Sequence, residues 1–216
     1  MTAIEEGRDP RGAVGCVVVR STRHLARLAF GVGTFVGTAT LARRPISGTE
    51  VRAFRSVNDL PAAAYPAIWP PMQYGTFGTV PASAAFALAR NRPRLALAIG
   101  VGGTTAWLTA KVLKRIVGRG RPATILDHVM LRGVEEGDLG FPSGHAAVSA
   151  ALTTVALPYV TDGGRYPLAA LSGFVPLARM YVGAHLPLDV VGGSALGLAI
   201  GSAVNLLVPP PRGRPT

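Results

Sequence analysis

About six apolar stretches, separated by short charged or Pro- and Gly-rich connections, run through most of this chain, several of them close to the ~20 residues a bilayer-crossing helix needs. The first covers 25–41; it is rich in Gly and Thr and carries Arg27 near its start. A charged connection, 42–64, follows, and Pro61, Pro66, Pro70 and Pro71 argue against continuous helix across that region. The second stretch runs over 72–89, with Tyr65, Trp69 and Tyr74 suited to an interfacial aromatic belt. After a basic loop holding Arg90, Arg92 and Arg94, the third covers 95–113 and leads into a polar loop over 114–140. The remaining stretches are 141–160, 166–183 with Pro176 as a kink, and 188–208. This pattern predicts an all-α integral-membrane bundle of about six transmembrane helices. It divides the chain into a polar or interfacial segment over 1–22, a membrane domain over 23–208 and a disordered tail over 209–216. Gly193, Gly197 and Gly201 recur every four residues on the last stretch, a flat stripe that favours close packing within the bundle over dimerisation.

Composition agrees with burial in lipid. Apolar residues make up 49% of the 216-residue chain and charged ones only 15%, too few for an ordinary soluble domain. The formal net charge is +11, from 22 Lys and Arg against 11 Asp and Glu. The basic residues flank apolar runs and form no continuous stripe, which fits membrane-flanking arginine and excludes nucleic-acid binding. Lys/Arg counts tie between the two membrane faces until Lys114, Arg121 and Arg179 are set aside as site residues. The remainder then places the N-terminus in the cytoplasm and those three residues at the extracytoplasmic face of the cell membrane. A single cysteine, Cys16, permits no internal disulfide, and the acidic stretch before it, with Glu5, Glu6 and Asp9, does not read as a cleaved leader.

The chemistry gathers at the ends of the apolar stretches, in three clusters. They are Lys114-x6-Arg121-Pro122, Pro142-Ser143-Gly144-His145 and Arg179-x5-His185-x3-Asp189. Because successive spans alternate in direction, all three reach the same membrane face. Pro142 suits the first position of a helix, where the backbone N–H groups of Ser143 and Gly144 would cradle an anion. His145, just beyond, is positioned as a general acid for the leaving oxygen. Pro187 likewise starts the last helix, with His185 just outside it and Asp189 near its third position. Asp189 can hold one imidazole nitrogen of His185 and leave the other free to attack phosphorus. Lys114, Arg121 and Arg179 supply clamps for phosphoryl oxygens. Lys111, Arg115 and Arg119 read as interfacial cations, and His24 and His128 have no assigned role.

In order and internal spacing these clusters resemble the signature KxxxxxxRP, PSGH, SRxxxxxHxxxD of the type 2 phosphatidic acid phosphatase and vanadium haloperoxidase superfamily. The matching text is KRIVGRGRP, PSGH and ARMYVGAHLPLD, within a resemblance spanning roughly 70–208. Ala178 departs from it, standing where the family has a serine whose hydroxyl can reach phosphate. The resemblance implies a metal-independent membrane lipid phosphatase with His185 as the nucleophile that becomes phosphohistidine, His145 as acid and Asp189 as partner. It implies no cofactor and no metal, and four scattered histidines with one cysteine offer no zinc-type spacing. Phosphatidic acid, phosphatidylglycerol phosphate and prenyl phosphates or pyrophosphates are the implied substrates, with head-group choice left to loops 42–71 and 123–140. Vanadate is expected to mimic phosphate in the cradle. Two other readings remain: a non-catalytic membrane protein binding a lipid or partner on the same fold, and a haloperoxidase, which the apolar spans disfavour. Oligomeric state is not legible.

Overall fold

The structure, a computed structural model, describes residues 10–133 and 137–210, and the side chains of 21–133 and 137–210. Residues 1–9 of the expected N-terminal segment and 211–216 of the expected tail lie outside it. Among the described residues the chain is nearly all helical, with no strand and one isolated β-bridge between Gly120 and Leu139. In chain order the helices are α1 (Pro10–Ala42), α2 (Gly48–Asn58), α3 (Tyr65–Met72), α4 (Thr79–Ala89), α5 (Pro93–Val117), α6 (Pro122–Ile125), α7 (Gly144–Ala156), α8 (Asp162–Tyr181) and α9 (Pro187–Leu207).

Among the described residues three segments are long and apolar enough to cross a membrane: Ser21–Ala42 of α1, α5 and α9. The count of about six does not follow from helix length. The apolar run over 72–89 is not one helix; it breaks at a 3₁₀ turn, Gln73–Gly75, and resumes as the 11-residue α4. That helix is about 16 Å long against a ~30 Å hydrocarbon core. α7 has 13 residues, extended by the 3₁₀ turn Leu157–Tyr159, and α8, though 20 residues long, carries Asp162, Arg165 and Arg179. α1 begins at Pro10, inside the segment read as a lead-in. Large apolar side chains point away from the bundle, with Phe30 and Phe86 each 67% exposed, as a lipid-facing surface requires.

The connection over 42–64 also folds differently from expectation, since it contains α2. Ser47 caps this helix by accepting the N–H of Glu50 at 3.1 Å. Glu50, Phe54 and Asn58, four residues apart, form its buried face. Asn58 pins the far end: its amide donates to the carbonyls of Met130, Met180 and Tyr181, and its oxygen accepts from the N–H of Met130. α2 thereby ties the loop after α6 to the end of α8.

α9 is the centre of the bundle, between α1 and α7. A Cβ on Gly193 would stand 2.3 Å from the Ser143 carbonyl oxygen and one on Gly197 2.1 Å from that of Ala147, while one on Gly201 would meet Thr154 Cβ at 2.6 Å. The glycine stripe is therefore covered by α7, the packing role read from the sequence, and is not open to a second copy. Ala106 and Ala110 of α5 close over Ala147, Ala151 and Leu196. On the other side, Gly31 of α1 lies against the α9 backbone at Ala195 and Ala199. Gly197→Val should consequently lower stability by at least the ~1–3 kcal/mol typical of overpacking, read as a lower detergent-phase melting temperature. Gly100→Ala, where a Cβ meets nothing within 4 Å, is the control and should be neutral or slightly stabilising. Coincident melting of Gly197→Val and wild type would contradict this packing.

Candidate functional site

α5 delivers Lys114 in its last turn and stops at Gly118, whose left-handed φ of 68° accompanies an N–H bond to the Lys114 carbonyl. The chain then runs alongside residues 138–140. Arg121 N–H donates to the Asp138 carbonyl at 2.9 Å, and Gly140 N–H to that of Arg119 at 2.7 Å. The Lys114 ammonium closes the same junction, donating to the carbonyls of Leu139 and Gly140 at 2.8 Å each. This latch fixes where the Pro142–His145 segment enters α7. Ser143 is its N-cap, accepting from the Ala146 N–H at 3.4 Å, so Pro142 precedes the cap and does not occupy the first helical position expected for it. The Ser143 N–H, expected to face an anion, instead donates to the Asp189 carbonyl at 2.9 Å. The anion-cradle part of the expectation therefore rests on Gly144.

α8 ends with Arg179 in its last turn, and the chain reverses through Gly183 at φ 80°. His185 follows, 2% exposed, and Pro187 opens α9 as expected. Asp189 occupies the third helical position and accepts the Leu186 N–H at 2.9 Å, the reach-back geometry read from the spacing. The imidazole–carboxylate contact is looser than expected. His185 Nδ1 lies 3.7 Å from Asp189 Oδ2, beyond hydrogen-bond range, and has no other partner among the described residues. The carboxylate is held elsewhere, by Leu186 on Oδ2 and by the Arg119 guanidinium on Oδ1 at 3.1 Å. Arg119 is not the interfacial cation the sequence suggested. It is buried and makes a two-pronged pair with Glu50, at 3.0 and 2.7 Å.

A cavity of about 750 Å³ opens where these ends meet, lined by Lys114, Arg121, Gly144, His145, Arg179 and His185. Of the remaining expected site residues, Ser143 and Asp189 are fully buried behind it. Gly75, in the break between α3 and α4, lets that turn approach: a Cβ there would fall 2.6 Å from the His145 carbonyl oxygen. Met72 reaches Arg179, its sulfur accepting from the guanidinium at 3.9 Å. Trp69, Phe77 and Trp107 add an aromatic part to the wall, and Phe77 stacks on Trp107 at 4.5 Å. Lys111, another residue read as interfacial, stands on this wall with its ammonium 3.7 Å from the Trp107 ring centroid. Ala178 is buried among Met72, Tyr181, Val182 and Ala184 and does not line the cavity. His24 and His128 also lie outside the lining.

The sequence reading missed Glu50 and Arg119. Ser47-x-x-Glu50 is a capping-box pattern that marks the start of α2, and Arg119 lies inside the first motif's spacer. Burial, with the cations Lys114, Arg179 and Arg121 and then His145 around it, holds the His185 imidazole well below the ordinary value of 6.5. It is therefore neutral at pH 7, the form that can attack an electrophile. Three cations and a helix N-terminus suit an oxyanion; among the described residues no group of three or more His, Cys, Asp or Glu side chains gathers to hold a metal ion.

A family model described as the PAP2 superfamily matches residues 94–211, more than half of the chain. The chain is 36% identical over 126 residues to the decaprenylphosphoryl-5-phosphoribose phosphatase of Mycobacterium tuberculosis strain H37Rv, covering 56% of this chain and 65% of that protein. It is 25% identical over 119 residues to the undecaprenyl-diphosphatase of Sulfolobus acidocaldarius, covering 55% and 57%. The chain thus spans just under two thirds of the length of the first of these curated relatives. Among solved structures, it resembles LpxE of Aquifex aeolicus, with a TM-score of 0.62, 21% identity and coverage of 71% of this chain and 93% of that one. It also resembles a transmembrane PAP2-type phosphatidylglycerolphosphate phosphatase of Bacillus subtilis, with a TM-score of 0.63, 22% identity and coverage of 82% and 95%. At these identities the two structures establish a shared fold.

The depressed His185 basicity has a measurable sign. In the free protein His185 should remain neutral at pH 6.5, where an unperturbed histidine is half-protonated. On acidification the unfolded chain's imidazole takes up its proton first, so this group lowers stability as pH falls below about 6.5. Imidazole 15N spectra in micelles, assigned by the signal lost in His185→Asn, measure the midpoint. Orthovanadate, by adding negative charge among the cations, should raise it. A midpoint at or above 6.5 in the free protein would refute the assignment.

Proposed function

Because this chain belongs to the PAP2 superfamily and carries three helices able to cross a membrane, we propose that it is an integral-membrane phosphatase acting through His185 on a phosphorylated lipid. The observation that carries this reading is a cavity in which α5, the turn into α6, α7, α8 and the approach to α9 set His185 and His145 among Lys114, Arg121 and Arg179.

In the first step the His185 Nε2 lone pair forms a bond to phosphorus as the bond to the leaving oxygen breaks. His145, whose pKa burial and then Arg179, Lys114 and Arg121 lower to about 3 in the free protein, takes up a proton with the phosphate's negative charge bound among those cations and gives it to that oxygen. The Nδ1 proton stays on the ring, and Asp189, on that side, stabilises the charge the ring acquires. Lys114, Arg121, Arg179 and the Gly144 end of α7 hold the phosphoryl oxygens throughout. In the second step His145 takes a proton from water, the oxygen of water bonds to phosphorus, and the phosphorus–nitrogen bond breaks. Phosphate leaves and His185 is regenerated.

The substrate we propose is a phosphate monoester or diphosphate carried on a prenyl lipid. Its support is the names of the two curated relatives, both acting on prenyl-linked phosphates, together with the aromatic wall beside the cations. We assign the site to the extracytoplasmic face of the cell membrane, on the Lys/Arg balance of the connections.

The test is phosphate release by detergent-purified protein from phosphatidic acid, phosphatidylglycerol phosphate and prenyl pyrophosphate, with EDTA present. Wild type should release phosphate, with the prenyl compound preferred, and orthovanadate should inhibit it. His185→Ala should abolish turnover, and His145→Ala should lower it by roughly 10²–10⁴. Wild-type-like release by His185→Ala would sink the mechanism.

A further inference from the structure

Arg119 belongs to the first motif's stretch but does not line the cavity; with Glu50, neither of them used in the chemistry above, it forms a buried cluster behind Asp189. Its Nη1 donates to Glu50 Oε1 at 3.0 Å and to Asp189 Oδ1 at 3.1 Å, while Nη2 donates to Glu50 Oε2 at 2.7 Å. Glu50 Oε1 also accepts the Leu188 N–H, in the first turn of α9, at 3.1 Å. Arg119 and Glu50 are each 7% exposed and Asp189 is 0% exposed. We propose that Glu50 and Arg119 are positioning residues for the reaction, orienting the Asp189 carboxylate towards His185 and keeping that carboxylate's charge available to the ring. This inference rests on the reading of His185 as nucleophile.

Geometry supports the orienting part. Asp189 Oδ1 is fixed by Arg119 and Oδ2 by Leu186, so rotation of the carboxylate is restrained at both oxygens. Gly140 closes the remaining side, since a Cβ there would fall 2.7 Å from Oδ2. Oδ2 is left facing His185 Nδ1 across 3.7 Å, a gap that a small shift closes when the ring becomes cationic.

Charge explains why Glu50 belongs to the device. An arginine alone beside Asp189 would cancel the carboxylate's charge and weaken its support for a charged imidazole. Glu50 takes the two-pronged face of the guanidinium, so the three groups together retain one negative charge next to the ring. That charge opposes the groups facing His185 from elsewhere: Lys114 on α5, Arg121 before α6, His145 on α7 and Arg179 on α8. A buried ion pair with only a packing role would be replaceable by apolar residues at little cost.

The experiment measures phosphate release from farnesyl diphosphate by the full-length protein in detergent. It compares wild type, His185→Ala, Glu50→Gln, Arg119→Lys and the double variant Glu50→Met with Arg119→Met. Melting temperature and the orthovanadate inhibition constant are followed beside kcat and KM. Glu50→Gln and Arg119→Lys should lose roughly ten- to hundredfold in kcat, by analogy with the loss seen when a partner orienting a metal-ligating side chain is removed. KM and vanadate inhibition should stay within about twofold, because the phosphate clamps are untouched. The acid limb of kcat/KM should move to lower pH in Glu50→Gln, where the Arg119 charge is less compensated; a merely structural pair would not move it. The double variant should melt below wild type, because Asp189 is left buried without a charge partner, and should share the kcat loss where it folds. Wild-type kcat and pH profile in the single variants, or in a stable double variant, would overturn the proposal. So would kcat losses matched by KM and vanadate, or failure of all three variants to fold, which would make the pair structural. Absence of release by wild type would count instead against the phosphatase reading, whereas release lost in His185→Ala with Glu50→Gln unchanged would count against the positioning alone.

Discussion

Asp189 holds its carboxylate where no surface is exposed, at the start of a helix that is otherwise mostly Gly, Ala, Leu and Val and carries no other charge. A charge so placed is tolerated only if it is paired and hydrogen-bonded. The chain meets that demand with groups from four separate segments. Leu186 caps it from the turn before α9, Arg119 pairs with it from beyond α5, and Glu50 on α2 steadies Arg119. Ser143, the cap of α7, is drawn in through the Asp189 backbone carbonyl. The ends of α5, α7 and α9 and the buried face of α2 therefore meet at one point, and the cavity lies directly above it. His185 is where it is because it precedes Pro187, and Pro187 is where it is because Asp189 is anchored.

The glycine stripe makes that convergence possible farther down the bundle. With Gly193, Gly197 and Gly201 against the α7 backbone, α7 and α9 approach closely enough for Ser143 to reach the Asp189 carbonyl. Larger residues would separate the helices at their lower turns and splay the ends that carry His145 and His185. Packing energy and site geometry are thus set by the same contacts, and the alanines of α5 that close over α7 extend the arrangement to Lys114.

Much of the site was legible in the sequence because it depends on helix ends, which proline, glycine and capping residues mark directly. Pro187 with Asp189 two residues on placed both the start of α9 and the reach-back bond. The glycine period identified a packing face. What escaped has a common physical reason: it is decided by tertiary partners. α2 offers one large apolar residue on its buried face, Phe54, between Glu50 and Asn58, and hydropathy reads such a segment as a connection. Its stability comes from the pairs those two polar residues make with Arg119 and with the backbone near Met130 and Met180. The break at Gln73–Gly75 falls inside the stretch read as one span, although Gln73, Gly75 and Gly78 follow closely on Pro70 and Pro71, and it brings Gly75 against His145. Arg119 differs from Arg115 only in lying past Gly118, where the chain turns inward.

The cavity has two distinct linings, and they come from different parts of the chain. Lys114, Arg121, Gly144, His145, Arg179 and His185 all belong to the three motifs, and the cations are preset by protein contacts such as the Lys114 latch onto Leu139 and Gly140. Preset charges need little reorganisation as the transition state forms. The opposite lining draws Tyr65, Trp69 and Gln73 from the segment around α3, Trp107 and Lys111 from α5, and Arg132 and Gly133 from the loop after α6. Arg132 is itself braced, donating to the Asn58, Leu60 and Tyr181 carbonyls. A phosphate would fill only part of a space of about 750 Å³, so on the proposed function the group joining it to a lipid would lie against the second lining. On that reading one set of residues would fix the reacting group and the other would meet the remainder of the substrate, and the second set can vary without disturbing the anchored carboxylate on which the first depends.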